Sequence, residues 1–326
     1  MSQPVHIDIN CDMGESYGRW TLGHDEEVMP NITSANIACG FHGGDPHVMR
    51  RTVELALQHG VAIGAHPGLP DLMGFGRRRM EVSPAELKDY HRYQIGALAA
   101  FAQAAGQKVQ HVKPHGIQYH MFEENLALSR ATAEQVLELD RELILMTMAM
   151  TKYDAEARKV KGLRIAAEGF ADRVYADDGQ LVSRKLGKDA LITDPSKAAD
   201  QAVRMAMEGK VRTITGKVID ARVETICIHG DRPGSDKIVA AVRDGLVKAG
   251  ATVKPLRDWL PRCVDSTRNA GPAGSDRGVR NRYTVWRSSS PGRGVPADPP
   301  PVTRRHSVPF PSFENWHRVC RREARH

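Results

Sequence analysis

Cysteine is scarce and scattered: five in 326 residues (Cys11, Cys39, Cys227, Cys263, Cys320), with no C-x-x-C pair among them. That spacing excludes a disulfide framework and a zinc knuckle. No apolar run approaches the roughly 20 residues that a membrane span needs. Met1 to Asn10 has no basic segment leading into an apolar stretch, so no secretory signal is expected. The common nucleotide and zinc-protease signatures are missing as well. There is no G-x-x-x-x-G-K-[ST] loop, no G-x-G-x-x-G after the first apolar run and no H-E-x-x-H. At 41% hydrophobic and 26% charged residues, the remaining expectation is a soluble, cytoplasmic, globular protein with no membrane partner.

Net charge is also absent from most of the chain. Residues 263–326 hold 12 Arg, no Lys and 5 acids. Subtracting these from the totals of 46 basic and 39 acidic residues leaves 34 of each in 1–262. The tail also has 8 of the 19 prolines and no apolar periodicity. It reads as a disordered Arg/Pro/Ser-rich extension, consistent with an altered reading frame, and the whole-chain basicity is no argument for nucleic-acid binding.

Residues 1–262 alternate short β-like runs with longer helical patterns. The runs are Val5–Asn10, Ile32–Cys39, Val61–His66, Val109–Lys113, Leu143–Met148, Leu163–Glu168 and Glu224–His229. Asp45-Pro46 marks one helix start, which Gly60 ends. Ser83-Pro84-Ala85-Glu86 is a capping box for a helix that stops at Gly106. Asp194-Pro195 opens a third helix, and Ser235–Ala249 forms a fourth. Such alternation implies a parallel sheet with crossover helices, and about seven strands over this length suit a (β/α) barrel as catalytic domain.

Parity along the strands then locates the chemistry. Ile7, Ile9 and Cys11 share one face of the first run, and Asp8, Asn10 and Asp12 the other. Bulky aliphatics must meet the helices, so the polar members line the interior. Asp12, Glu15, His42, Asp45, His66, Lys113, His115, Glu168, His229 and Asp231 all fall at or just past a strand's carboxyl end, where barrel enzymes carry their sites. A single such histidine is ordinarily a hydrogen-bonded turn residue; four on separate strands have no packing benefit. Asp45 reads mainly as a helix cap. The Gly74-Phe75-Gly76-Arg77-Arg78-Arg79 loop suits either a carboxylate ligand or open solvent.

Histidines, carboxylates and a lysine around one pocket permit acid–base chemistry near neutral pH. Lys113, if buried, needs a carboxylate such as Asp12 or Glu168. Cys39 and Cys227 are weak nucleophile candidates, Cys227 lying inside an apolar run. A divalent metal is the competing reading, with His66, His115 and His229 beside Asp8 or Asp12 as possible ligands; Asp12, His66 and His115 are the leading set.

Six motifs, in order, resemble the LamB/YcsF family. They are Asp8-Ile9-Asn10-Cys11-Asp12-Met13-Gly14-Glu15, Ala35-Asn36-Ile37-Ala38-Cys39-Gly40-Phe41-His42, Gly64-Ala65-His66-Pro67-Gly68, Val112-Lys113-Pro114-His115-Gly116, Glu168-Gly169-Phe170-Ala171-Asp172-Arg173 and Ile228-His229-Gly230-Asp231. The resemblance spans about Val5 to Leu256. It implies a barrel of the glycoside hydrolase/deacetylase type and ATP-dependent opening of 5-oxo-L-proline to L-glutamate, together with 5-oxoprolinase subunits B and C. On that reading Asp12 and Glu15 handle protons or activate water. His42, His66 and His115 orient the reacting group, and Lys113 balances phosphate or oxyanion charge. Asp8, Asn10, Asn36, Glu168, His229 and Asp231 would contact substrate. A metal-dependent amidase or deacetylase acting alone on a small amide is the alternative. The sequence departs from the family pattern at Gly43 and at Ile117-Gln118-Tyr119-His120, and its tail has no counterpart there.

Overall fold

The computed structural model describes residues 4–183 and 190–262, so the extension expected over 263–326 lies outside the described residues. Among the described residues ten strands form: β1 (His6–Met13), β2 (Ser34–Ala38), β3 (Ala62–His66), β4 (His111–Val112), β5 (Ile144–Met148), β6 (Arg164–Phe170), β7 (Lys210–Arg212), β8 (Val218–Asp220), β9 (Thr225–Cys227) and β10 (Thr252–Val253). Seven close into a parallel ring in the order β1-β2-β3-β4-β5-β6-β9, with β9 returning to β1 through Asp8–Thr225 and Asn10–Cys227. These seven correspond to the seven runs read from the sequence. The other three strands have no counterpart among those runs. Strands β7 and β8 make an antiparallel hairpin outside the ring, and β10 extends the β1 edge below β9 through His6–Thr252.

The crossover helices are α1 (Asp25–Val28), α2 (Pro46–Gln58), α3 (Pro84–Ala104), α4 (Gln118–Glu124), α5 (Leu126–Leu139), α6 (Lys152–Ala157), α7 (Pro195–Val203) and α8 (Ser235–Lys248). Their starts follow local chemistry. The Asp45 carboxylate accepts from the His47 and Val48 amides ahead of α2, and Ser83 and Glu86 form the reciprocal capping box of α3. The aliphatic strand faces (Ile7, Ile9, Ile63, Ala65, Ile226) are buried in the core cluster that includes Val53 and Ala56 of α2, Leu98 of α3 and Val242 of α8.

The ring interior is polar and layered, as parity requires. At the floor, Asp8 accepts hydrogen bonds from the hydroxyls of Thr33 (2.7 Å), Ser34 (2.6 Å) and Thr225 (2.6 Å). Above it, Asn36 Nδ2 donates to Asn10 Oδ1 (2.8 Å), and the His111 ring reaches across to the side-chain Oδ1 of Asn36 (2.8 Å). Gly64 makes room for that ring, since a Cβ there would lie 1.8 Å from His111 Nε2. Each of these buried polar groups thus finds a partner inside the ring, which is what allows a barrel core to be hydrophilic.

Burial raises the Asp8 carboxyl to about 6 from 3.8, against the pull of its three hydroxyl donors. The folded state therefore holds this proton more tightly than the unfolded chain. The stability it contributes is complete below the unfolded value and is lost as pH rises through about 6. Relative to Asp8→Asn, the wild type should gain about 1–2 kcal/mol between pH 7.5 and 5. Chemical denaturation of the two proteins at both pH values measures that difference; a constant gap would place the titration elsewhere.

Candidate active site

One layer higher, at the carboxyl ends of the strands, the charged residues converge. Lys113, just beyond β4, is 2% exposed. Its ammonium lies 2.9 Å from Asp12 Oδ1, 2.9 Å from Glu168 Oε1, 3.3 Å from Asn10 Oδ1 and 3.1 Å from Cys227 Sγ. Burial works to strip its proton, but Asp12, Cys227 and Glu168 outweigh it and hold the amine well above the ordinary lysine value. The Asp12 carboxyl, although burial pushes it up, is held well below the usual carboxylate range by His66 and Lys113. Asn36 also donates to Asp12 (2.9 Å), so the asparagine layer supports the ionised layer above it.

A histidine cluster flanks this pair. His66 ends β3, and its Nδ1 donates to the Lys113 carbonyl (2.6 Å). His115 Nε2 donates to the Phe75 carbonyl (2.8 Å). The two rings then meet Nε2 to Nδ1 at 3.0 Å, with Asp12 Oδ2 3.4 Å from His66 Nε2. His42 lies flat against His115 (centroids 3.5 Å apart, planes 2° apart), and its Nε2 faces Glu15 Oε1 at 3.3 Å. Burial, then the Asp12 charge, drives the Glu15 carboxyl well above its ordinary value. The loop around Gly76 (φ +60°) closes over these rings; a Cβ there would sit 2.7 Å from His115 Cδ2. Glu15, His42, His66 and His115 present ligand atoms within 4.8 Å of one another, a buried group able to hold a metal ion.

Across the mouth, His229 follows β9 and is fixed by Asp172, whose carboxylate accepts from Nδ1 at 2.9 Å. Burial, which raises the Asp172 carboxyl, is overcome by the His229 charge and its two hydrogen bonds, leaving it low. Phe170 stacks on the His229 ring. Between the two histidine groups lies a cavity of about 390 Å³, lined by Asp12, His66, Lys113, His115, Tyr119, Phe170, Arg77, Arg173 and His229 among others. A larger depression of about 630 Å³ on the outer wall, between Lys88 and Glu134, lacks any such grouping of histidines with acids.

Asp12, Glu15, His42, His66, Lys113 and His115 are therefore brought together, and Glu168 joins them beside Lys113 and Tyr119 (3.2 Å). Asn10 and Asn36 lie one layer down, as supports for Asp12 and Lys113. Asp8 is deeper still and engages the hydroxyls of the floor. Asp231 sits at the rim, 3.8 Å from Arg77. Among the expected metal ligands, Asp8 is engaged by the floor hydroxyls and His229, its Nδ1 on Asp172, stands across the cavity, whereas His66 and His115 stay adjacent. Asp172 and Tyr119 belong to the site although sequence reasoning alone gives them no role in it. The rim rule that finds Glu168 applies equally to Asp172, two residues past the end of β6. The thiols are poor nucleophiles: burial pushes Cys39 up to about 12 and Cys227 well above the ordinary value.

Comparison with known proteins finds relatives along nearly the whole barrel. The 5-oxoprolinase A subunit of Pyrococcus abyssi is 50% identical over 257 residues, 78% of this chain and all of that one. The 5-oxoprolinase A subunit of Staphylococcus epidermidis is 48% identical over 252 residues, covering 77% of this chain and 99% of its own length. The crystal structure of a lactam utilization protein from Thermus thermophilus superposes with a TM-score of 0.72 at 46% identity, over 76% of this chain and 99% of that one. The profile of the LamB/YcsF family matches residues 7–261, nearly the whole barrel, and the chain belongs to that family.

Proposed function

We propose that this chain is the A subunit of an ATP-dependent 5-oxoprolinase, which opens the lactam of 5-oxo-L-proline to L-glutamate with partner subunits B and C. The observation that carries this reading is the cavity itself. It is of small-molecule size, and an Asp172-oriented histidine and a lysine bound to two carboxylates both line it or lie at its wall. Full-length relatives that bear the 5-oxoprolinase name, at 48–50% identity, support the substrate class.

A lactam is a poor electrophile because amide resonance protects its carbonyl and its nitrogen leaves badly. His229 supplies the proton handling this requires. With Nδ1 bound to Asp172, its Nε2 is left to take a proton from water attacking the ring carbonyl and return it to the departing nitrogen. Lys113 sets fixed positive charge beneath the cavity, where oxyanion charge grows. Arg77 at the mouth offers a cation to the substrate carboxylate. Transfer of the ATP γ-phosphoryl group to the lactam oxygen, releasing ADP, would localise C=N character and make the ring carbon attackable. Water addition and C–N cleavage then leave an acyl phosphate whose hydrolysis releases orthophosphate and L-glutamate. Each 1.36 kcal/mol taken off the barrier is a factor of about ten in rate. The sequence has no Gly-rich P-loop, so ATP use is assigned to the assembled complex.

Glutamate release from 5-oxo-L-proline, with ATP and with subunits B and C added singly and together, tests the reading. Release is expected only in the complete mixture. Release by this chain alone, without ATP, would establish the stand-alone amidase instead.

A further inference from the structure

A lactam ring holds its amide cis, so the carbonyl oxygen and the N–H lie side by side on one edge, an acceptor beside a donor. The complement of that edge is positive charge next to a bare acceptor. Glu168 carries such a pair. Its Oε1 is 2.9 Å from the Lys113 ammonium, and its Oε2 accepts from the Tyr119 hydroxyl at 3.2 Å. A carboxylate only accepts, so the single hydrogen of that hydroxyl is given to Glu168, and the lone pairs of Tyr119 Oη remain for another donor. Burial, then the Glu168 charge, holds the phenol well above its ordinary value, so the hydrogen stays in place.

The Tyr119 ring is held as well. It meets the ring of Tyr153 edge-on, with centroids 5.9 Å apart, and Tyr153 is wholly buried with its hydroxyl on the Met146 carbonyl. Tyr119 and Lys113 line the same cavity, together with the apolar side chains of Ile117, Met148, Phe170 and Leu181. Asp12 Oδ1 is already engaged by Lys113 and Asn36.

We propose that Tyr119 Oη accepts the hydrogen bond of the lactam N–H, and that this contact selects secondary lactams over lactones and N-alkylated lactams. Glu168 is the positioning residue, because it fixes where the Tyr119 hydrogen points. The inference rests on the lactam reading given above and names the group that recognises the ring nitrogen. In the γ-lactone analogue an oxygen replaces the N–H, so two lone-pair-bearing oxygens would face each other out of water. An N-methyl group would put carbon where the hydrogen bond belongs. Sites built around a substrate N–H reject analogues that lack it, because the site's own polar group is left unpaired.

Binding to the full-length chain alone tests this, with 5-oxo-L-proline, its N-methyl derivative and the corresponding γ-lactone each titrated by saturation-transfer NMR. Wild type should favour the lactam over both analogues by about 10–100-fold, the scale of one buried hydrogen bond. In Tyr119→Phe that preference should vanish, the lactam weakening to the level of the lactone while the lactone stays within about twofold. Glu168→Gln reaches the same end without touching Tyr119. Lys113 only donates, so the glutamine oxygen must turn to it and the NH2 must face Tyr119. The Tyr119 hydrogen then swings into the cavity, and the preference should shift toward the lactone. Equal weakening of lactam and lactone in Tyr119→Phe would leave Tyr119 a wall of the pocket and overturn the proposal. So would a wild type without lactam preference, or a preference retained in both variants. Glutamate release in the complete mixture separates the two readings. Release without lactam preference by this chain defeats the recognition proposal alone, and lactam preference without release defeats the ring-opening reading alone.

Discussion

Lys113→Met should lower glutamate release in the reconstituted complex by about 10²–10³-fold, the scale for removing one fixed electrostatic stabiliser from a buried site. The ammonium sits 2.9 Å from both Asp12 and Glu168 and bridges the two carboxylates. Methionine keeps the length and apolar stem and deletes the charge, leaving those carboxylates facing one another in a buried space. Breaking a buried pair by removing one partner costs about 3–5 kcal/mol, so the melting temperature should fall too. Activity is therefore to be measured well below the variant's transition and normalised to folded protein by circular dichroism. Turnover close to wild type would remove Lys113 from the mechanism and leave it as a structural counter-ion.

Much of this geometry is legible in strand parity. The alternation of Ile7, Ile9 and Cys11 with Asp8, Asn10 and Asp12 dictates which side chains enter the ring, because a strand has a period of two and one face must meet the helices. His66, Lys113 and Glu168 follow from the same rule, at or near the carboxyl ends of β3, β4 and β6, and His115 lies two residues beyond Lys113. Parity gives the face but not the height. Asp8 and Asp12 share a face, yet Asp8 meets three floor hydroxyls and Asp12 meets Lys113 and His66. Which layer a residue joins depends on the stagger between neighbouring strands, and that is fixed by registers such as Asn10 opposite Ser34.

The less legible parts depend on loops. Strand β4 pairs over only His111–Val112, so most of its expected run is a connection carrying Lys113 and His115 to the rim. His42 reaches the cluster from a Gly-rich loop, and the hydrogen on His115 is set by the Phe75 carbonyl in another loop. Neither relation has a sequence period. Helix α4 has no side-chain cap, and β7, β8 and β10 are only two or three residues long, so tertiary packing rather than local propensity decides them. Helices α5 and α6 do carry cap residues, Asn125 and Thr151, that a sequence reading can find. In Ile117-Gln118-Tyr119-His120, Gln118 turns inward to bond His91 (2.6 Å) and the Pro67 carbonyl (2.7 Å), whereas Ile117, Tyr119 and His120 line the cavity. A departure from the family pattern is thus divided between support and contact, a split that depends on the turn of α4.

Asp172→Asn should cost about 10²–10⁴-fold in kcat, the usual contribution of a positioned acid–base group, with KM little changed. The ionised carboxylate can only accept, so it keeps the hydrogen of His229 on Nδ1 and leaves Nε2 bare toward the cavity. An asparagine amide of the same shape can turn its NH2 toward Nδ1. The ring hydrogen then moves to Nε2, and the base is blocked without loss of packing. Because Asp172 acts only through His229, His229→Gln should cause a similar loss, and the double variant should be no worse than the more damaging single one. Additive losses would mean that Asp172 contributes by another route, through the His229 backbone amide that it also accepts from at 3.3 Å. Full activity in Asp172→Asn would shift proton transfer to the Asp12, Glu15 and His42 side of the cavity.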